Sequence, residues 1–97
     1  MEIKIKAIHF DATDKLQQFV NKKVEKLLKH HEEITDAEVT LKVVKPETAM
    51  NKEAGIKLAI PQAADLFASK TADTFEEAID LAVDALKRQL EKTRKDK

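Results

Sequence analysis

Cysteine, tryptophan and tyrosine are all absent from the 97 residues, and there is a single glycine, Gly55. Without thiols the chain can form no disulfide, thiolate nucleophile or cysteine-based zinc site. One glycine cannot make a glycine-rich loop that cradles a phosphate. The only aromatics are four phenylalanines. Phe10, Phe19 and Phe75 read as core residues, which leaves Phe67 alone for the surface. A sheet that stacks unpaired bases on several aromatics is therefore not expected. No apolar run approaches the roughly 20 residues that span a bilayer, and residues 1–11 alternate charge with apolar side chains instead of forming a signal-peptide block. The expectation is a soluble cytoplasmic protein with no membrane partner.

Catalytic constellations are also missing. There is no GxSxG, and the lone serine, Ser69, falls in a predicted strand with no histidine near it in sequence. His30 and His31 are neighbours at the predicted end of a helix, where adjacent side chains point about 100° apart and cannot chelate together. Both read as solvated helix-end residues. The acid pairs Glu32-Glu33 and Glu76-Glu77 diverge for the same reason. No enzyme activity, metal, cofactor or small-molecule substrate is expected.

What the sequence does contain is charge in a pattern. Lys and Arg number 18, as do Asp and Glu, so the formal net charge is zero. Residues 1–31 nevertheless carry +3, residues 32–84 carry −7 and residues 85–97 carry +4. Two basic ends around an acidic middle can make a basic patch if the fold brings the ends together. Hydrophobic residues at 42% and charged residues at 37% suit a folded, well-solvated chain rather than a disordered one. A chain of this length makes one domain, 1–97, with little room for an enclosed cavity.

Periodicity gives the elements. Ile3, Ile5 and Ala7 alternate with Lys4 and Lys6, the period of a strand with one buried face. Residues 11–14 (Asp-Ala-Thr-Asp) offer capping oxygens. Leu16, Phe19, Val20, Val24, Leu27 and Leu28 then follow at helical spacing over about 13–30. Ala37, Val39, Leu41 and Val43 predict a second strand, and residues 45–53 a long polar hairpin loop. Ile56, Leu58 and Ile60 predict a third strand stopped by Pro61, and 66–71 a fourth. Thr74-Phe75-Glu76-Glu77 fits a capping box, in which Thr and Glu reciprocally satisfy backbone donors. Behind it Ala78, Ile79, Ala82, Val83, Leu86 and Leu90 share a face. The order β-α-β-β-β-α predicts an α+β fold, a four-stranded sheet with both helices packed on one face.

On a helical wheel Lys15, Lys22, Lys26 and Lys29 fall within about 60° of one another, away from the apolar stripe. Arg88, Lys92 and Lys95 do the same on the last helix, while Lys87 and Arg94 flank its stripe. On pattern alone an ordinary helix with acids first (Glu76, Glu77, Asp80, Asp84) and cations last, complementing its dipole, fits the last helix somewhat better than an RNA-binding surface does. Glu91 and Lys95 are an ordinary i,i+4 pair. If the two cationic flanks converge they form one ridge able to lie along phosphates.

Several short motifs weigh on that choice together. Ala78-Ile79-Asp80, then Asp84-Ala85-Leu86-Lys87-Arg88-Gln89-Leu90 with Lys92, lie in the last helix. Phe19-Val20, Lys23 and Lys26-Leu27 lie in the first, and Leu41-Lys42-Val43 with Lys45 in the second strand. In this order and spacing the chain resembles the short form of the ribosome hibernation-promoting factor family, also called ribosome-associated inhibitors. Three positions depart from the family pattern: Ala85 stands where a lysine is usual, Glu76 where an aromatic is common, and Ala7 where a glycine is common.

The resemblance implies a fold similar to a double-stranded-RNA-binding domain with an added strand. It implies a non-enzymatic factor that silences translation during hibernation or stationary phase, by occupying the mRNA/tRNA channel of the small ribosomal subunit with its cations on ribosomal RNA. By matching position it points to Lys23, Lys26, Arg88 and Lys92. The wheel adds Lys22, Lys29, Lys87, Arg94 and Lys95. From the length, the short form is expected, without the C-terminal module of long forms, and so is a monomer off the ribosome. The alternative is a protein–protein adaptor using the acidic middle or a sheet edge.

Overall fold

The computed structural model describes residues 2–8, 10–44, 50–61 and 63–95, with side chains in the last helix as far as Lys92. The elements are β1 (Glu2–Ile8), α1 (Asp14–His30), β2 (Asp36–Val43), β3 (Lys52–Ala59), β4 (Leu66–Ala72) and α2 (Phe75–Lys95). This is the β-α-β-β-β-α order expected, and an α+β fold.

The strands lie in the order β1-β2-β3-β4. β1 and β2 are parallel, so the chain must cross over between them, and α1 is that crossover. β2, β3 and β4 form an antiparallel meander. The register aligns Ile5 with Val39, Val39 with Ile56, and Ile56 with Ala68, one continuous apolar row across all four strands. Because side chains alternate with a period of two, Ile3, Ala37, Leu58 and Leu66 share that face. Val39, Leu41, Ile56 and Leu58 are completely buried on it. The opposite face carries Lys4, Glu38, Lys57 and Phe67 in one row and Lys6, Thr40, Gly55 and Ser69 in the next.

The third strand starts earlier than its apolar residues suggest. The pairing of β2 with β3 runs on to Val43 with Lys52, so Lys52 and Glu53 belong to the strand and not to the predicted loop. Lys42 Nζ meets Glu53 Oε1 across this pair at 3.4 Å. Beyond it the Val44 N–H donates to the Asn51 carbonyl at 2.8 Å, and the Met50 N–H to Asp73 Oδ1 at 2.8 Å. The rest of the predicted loop, 45–49, lies outside the described residues. At its other end β3 stops at Ala59, so Ile60 falls after the strand.

Each helix begins on a threonine. Thr13 Oγ1 accepts from the Leu16 N–H at 3.1 Å, and Thr74 Oγ1 from the Glu77 N–H at 3.1 Å. Only this forward half of the expected capping box forms at α2. Both apolar stripes face the sheet: Val20, Val24 and Leu27 from α1, and Ala78, Ile79, Ala82 and Leu86 from α2, are all buried. Phe10, just ahead of α1, stacks on Phe75, the first residue of α2, with ring centroids 4.8 Å apart and planes 8° from parallel. The helices therefore start together and run side by side in the same direction.

His31 corrects one reading. It is not a solvated helix-end residue but is 8% exposed. It lies four residues after Leu27 and seven after Val24, so the apolar period of α1 carries it inward. His30 remains exposed.

Candidate nucleic-acid interface

The outer surface of the helical layer holds most of the cations singled out from the sequence, and the helical period spreads them over three places. The first is the groove between α1 and α2. Lys23 and Lys26 reach it from α1 and Lys87 from α2, and Asp80 and Asp84 share it with them. The groove is shallow, about 100 Å³, with Leu27 and Val83 beneath the charges.

Lys23 Nζ stands 3.1 Å from Asp80 Oδ1 and 5.5 Å from the centroid of the Phe19 ring. The lysine stem is thus laid across the groove, its ammonium held by a carboxylate and a ring face. Lys26 and Lys87 are exposed and make no ion pair among the described residues. They are the cations the groove offers to an incoming anion.

The second place is the crest of each helix. Lys22 is exposed on α1, opposite the Val20/Leu27 stripe. Arg88 is the crest cation of α2, its side chain 79% exposed, with Nη2 3.0 Å from Asp84 Oδ2 one turn earlier. The third place is the outer flanks. Lys29 lies on the β1 side of α1, in a hollow with Ile3, Asn21, Glu25 and Leu28. Lys92, five residues after Lys87, is about 140° further round the helix and so points toward the β4 side. Arg94 and Lys95 belong to the last turn of α2, and their side chains lie outside the described residues.

The fold therefore brings Lys23, Lys26 and Lys87 into one groove, with Lys22 beside it. It sets Lys29 and Lys92 on opposite margins of the same helical layer. The cations do not fuse into one uninterrupted ridge, because Asp80 and Asp84 stand among them. From sequence these two acids are among those that precede the cations of the last helix, although only Glu76 and Glu77 fall in its first turn. The signal for their place was there: Asp80 precedes Lys87 by seven residues and so shares its side of the helix.

Of the three departures, Ala85 is half-buried and packs against the core, so a lysine at that position would lay its stem on the apolar margin. Ala7 is half-buried on β1 and Glu76 is exposed in the first turn of α2.

Among the described residues there is no group of three or more His, Cys, Asp or Glu able to hold a metal ion. Nor is any helix among them long and apolar enough to cross a membrane. What the arrangement can do is present fixed and free cations, spaced along two parallel helices, to a polyanion.

Two parallel, cation-bearing helices on one face of a mixed four-stranded sheet define a class of small α+β domain. The chain belongs to the sigma 54 modulation protein / S30EA ribosomal protein family, whose model matches residues 3–97. It is thereby a ribosome-associated factor, as the motifs of both helices and the second strand together implied. Its fold is similar to that of a ribosomal subunit interface protein from Coxiella burnetii, with a TM-score of 0.85 at 20% identity over 97% of this chain and 98% of that one. It is also similar to the N-terminal domain of Protein Y from Thermus thermophilus, with a TM-score of 0.77 at 26% identity, covering 96% of this chain and 99% of that one. No curated protein sequence is significantly similar to the chain.

Proposed function

We propose that the chain is a non-enzymatic, cytoplasmic factor that silences translation by binding the small ribosomal subunit in its mRNA/tRNA channel. On this reading residues 1–97 act as one ribosome-binding domain, and inhibition is steric. The observation that carries it is the side-by-side placement of α1 and α2. That placement puts Lys23, Lys26 and Lys87 in one groove, with Lys22 and Arg88 on the adjoining crests, in a chain of a ribosome-associated family. Lys29, Lys92, Arg94 and Lys95 extend the contact along the margins and the last turn of α2. These cations neutralise ribosomal RNA phosphates, while packing against the apolar face of the sheet holds the two helices in place.

The test is competition. Small subunits saturated with the protein should lose the capacity to bind mRNA and tRNA, and a translating extract should stall in proportion to the protein added. Subunits that carry the protein and still bind both RNAs would contradict channel occupation. Association that is insensitive to salt would favour an adaptor that binds ribosomal protein instead.

A further inference from the structure

The groove between the helices contains more than cations. Asp80 holds Lys23 at 3.1 Å and Asp84 holds Arg88 at 3.0 Å, and both carboxylates line the groove that Lys26 and Lys87 also line. These acids add little to the fold. The Lys23–Asp80 pair is 43% and 52% exposed, and Arg88 is more exposed still, the setting in which ion pairs contribute least to stability. Yet they neutralise two of the cations best placed to meet RNA.

We infer that Asp80 and Asp84 are specificity-determining residues of this interface, rejecting generic duplex RNA and admitting only RNA whose phosphates can be placed around them. The inference rests on the proposed function and deepens it. A regular duplex lays evenly spaced phosphates along whatever groove it enters. Here some of them would be forced against the two carboxylates, and like charges brought together select against the wrong partner. A folded RNA surface can set phosphates over Lys26, Lys87 and Lys22 while turning a hydrogen-bond donor to each carboxylate. Ribose 2′-hydroxyls and exocyclic base amino groups are such donors. The acids thus convert an electrostatic surface, which by itself is nearly indifferent to sequence and shape, into one that discriminates.

The experiment uses the full chain and its Asp80→Asn/Asp84→Asn variant. Binding is measured to a duplex RNA of arbitrary sequence and to purified small subunits, across about 50–200 mM salt. Asparagine keeps the shape, removes both charges and frees Lys23 and Arg88. Duplex affinity should rise roughly tenfold at about 100 mM salt, and the salt slope should steepen by about one to two, as each added phosphate contact releases up to about 0.9 counterion. The preference for subunits over duplex should shrink accordingly. Unchanged duplex affinity would overturn the inference. So would weaker subunit binding with no gain on duplex, which would make Asp80 a positioning group for Lys23. The single variants Asp80→Asn and Asp84→Asn give the same readouts in smaller steps should the double variant not fold. Failure of the unmodified protein to bind subunits would instead refute the proposed function, and the duplex arm reads independently of it.

Discussion

Phe10 and Phe75 stack ring on ring, 4.8 Å between centroids, at the points where the chain enters α1 and α2. The stack ties the starts of both helices together, and so fixes the alignment that puts Lys26 and Lys87 in one groove further along. Phe75 is buried and Phe10 half-buried. Phe75→Ala should therefore destabilise by about 3–5 kcal/mol, and Phe10→Ala by less. The double variant should fall short of the sum by about 0.5–1.5 kcal/mol, the worth of a specific aromatic pair. Urea unfolding of the three variants measures all of these.

Two buried alanines, Ala78 and Ala82, let α2 lie close on the sheet, and neither has any exposed surface. A larger side chain there has no space without moving the helix. Ala82→Leu should cost about 1–3 kcal/mol of stability. By shifting α2 against α1, it should also weaken ribosome association although it touches no cation. Thermal melting paired with subunit co-sedimentation tests both effects.

The only glycine of the chain is explained by a neighbour and not by its own dihedrals. A β-carbon on Gly55 would stand 3.2 Å from Phe67 Cζ, because the Phe67 ring lies across it on the free face of the sheet. Phe67 is 58% exposed, so its ring can give way. Gly55→Ala should then change stability by less than about 1 kcal/mol, the crowding of the ring being set against the entropic cost of glycine in a strand. Gly55→Val should cost more, and Phe67→Ala added to it should recover part of the difference. Chemical denaturation of the parent and these variants is the measurement.

Much of this architecture was legible in the sequence, for identifiable reasons. The two-residue alternation of Ile3/Ile5/Ala7 and Ala37/Val39/Leu41 and the 3.6-residue stripes of both helices are set by burial on one side, which leaves a mark on every turn. The start of β3 was not legible. Lys52 and Glu53 look like loop residues and are strand residues only because β2 continues opposite them, a non-local cause. His31 reads as a surface residue by its type, although its position continues the apolar stripe of α1.

The site was readable to the same depth. Which lysines lie on the outside of each helix follows from the wheel. Which of them meet across the groove depends on the flank each helix turns to the other, and packing on the sheet decides that. Hence Lys23, Lys26 and Lys87 converge, while Arg88, drawn from the same motif as Lys87, stands on the crest beside Asp84 and Lys92 points toward the β4 side. Asp80 could be placed beside Lys87 from spacing alone, but its partner, Lys23, could not.

Within the groove Lys26 and Lys87 stand unpaired among the described residues and Lys23 is held by Asp80, while Lys22 and Lys29 lie outside it. Lys22→Glu/Lys29→Glu, on the crest and outer margin of α1, should weaken small-subunit association less than changes within the groove. The salt dependence should fall by up to about 0.9 for each phosphate no longer neutralised. Both side chains are exposed, so the melting temperature should hold. Subunit binding titrated at several salt concentrations, beside a thermal melt, checks both expectations.

The most direct measurement is co-sedimentation of the unmodified protein and of Lys26→Glu/Lys87→Glu with purified small subunits, from low to high salt. Both residues are exposed and line the groove, so the variant should fold and melt as the parent does. The account predicts that the parent travels with the subunit at low salt and is released as salt rises, and that the variant stays at the top of the gradient throughout. A folded variant that co-sediments as the parent does, with the same salt dependence, would contradict it.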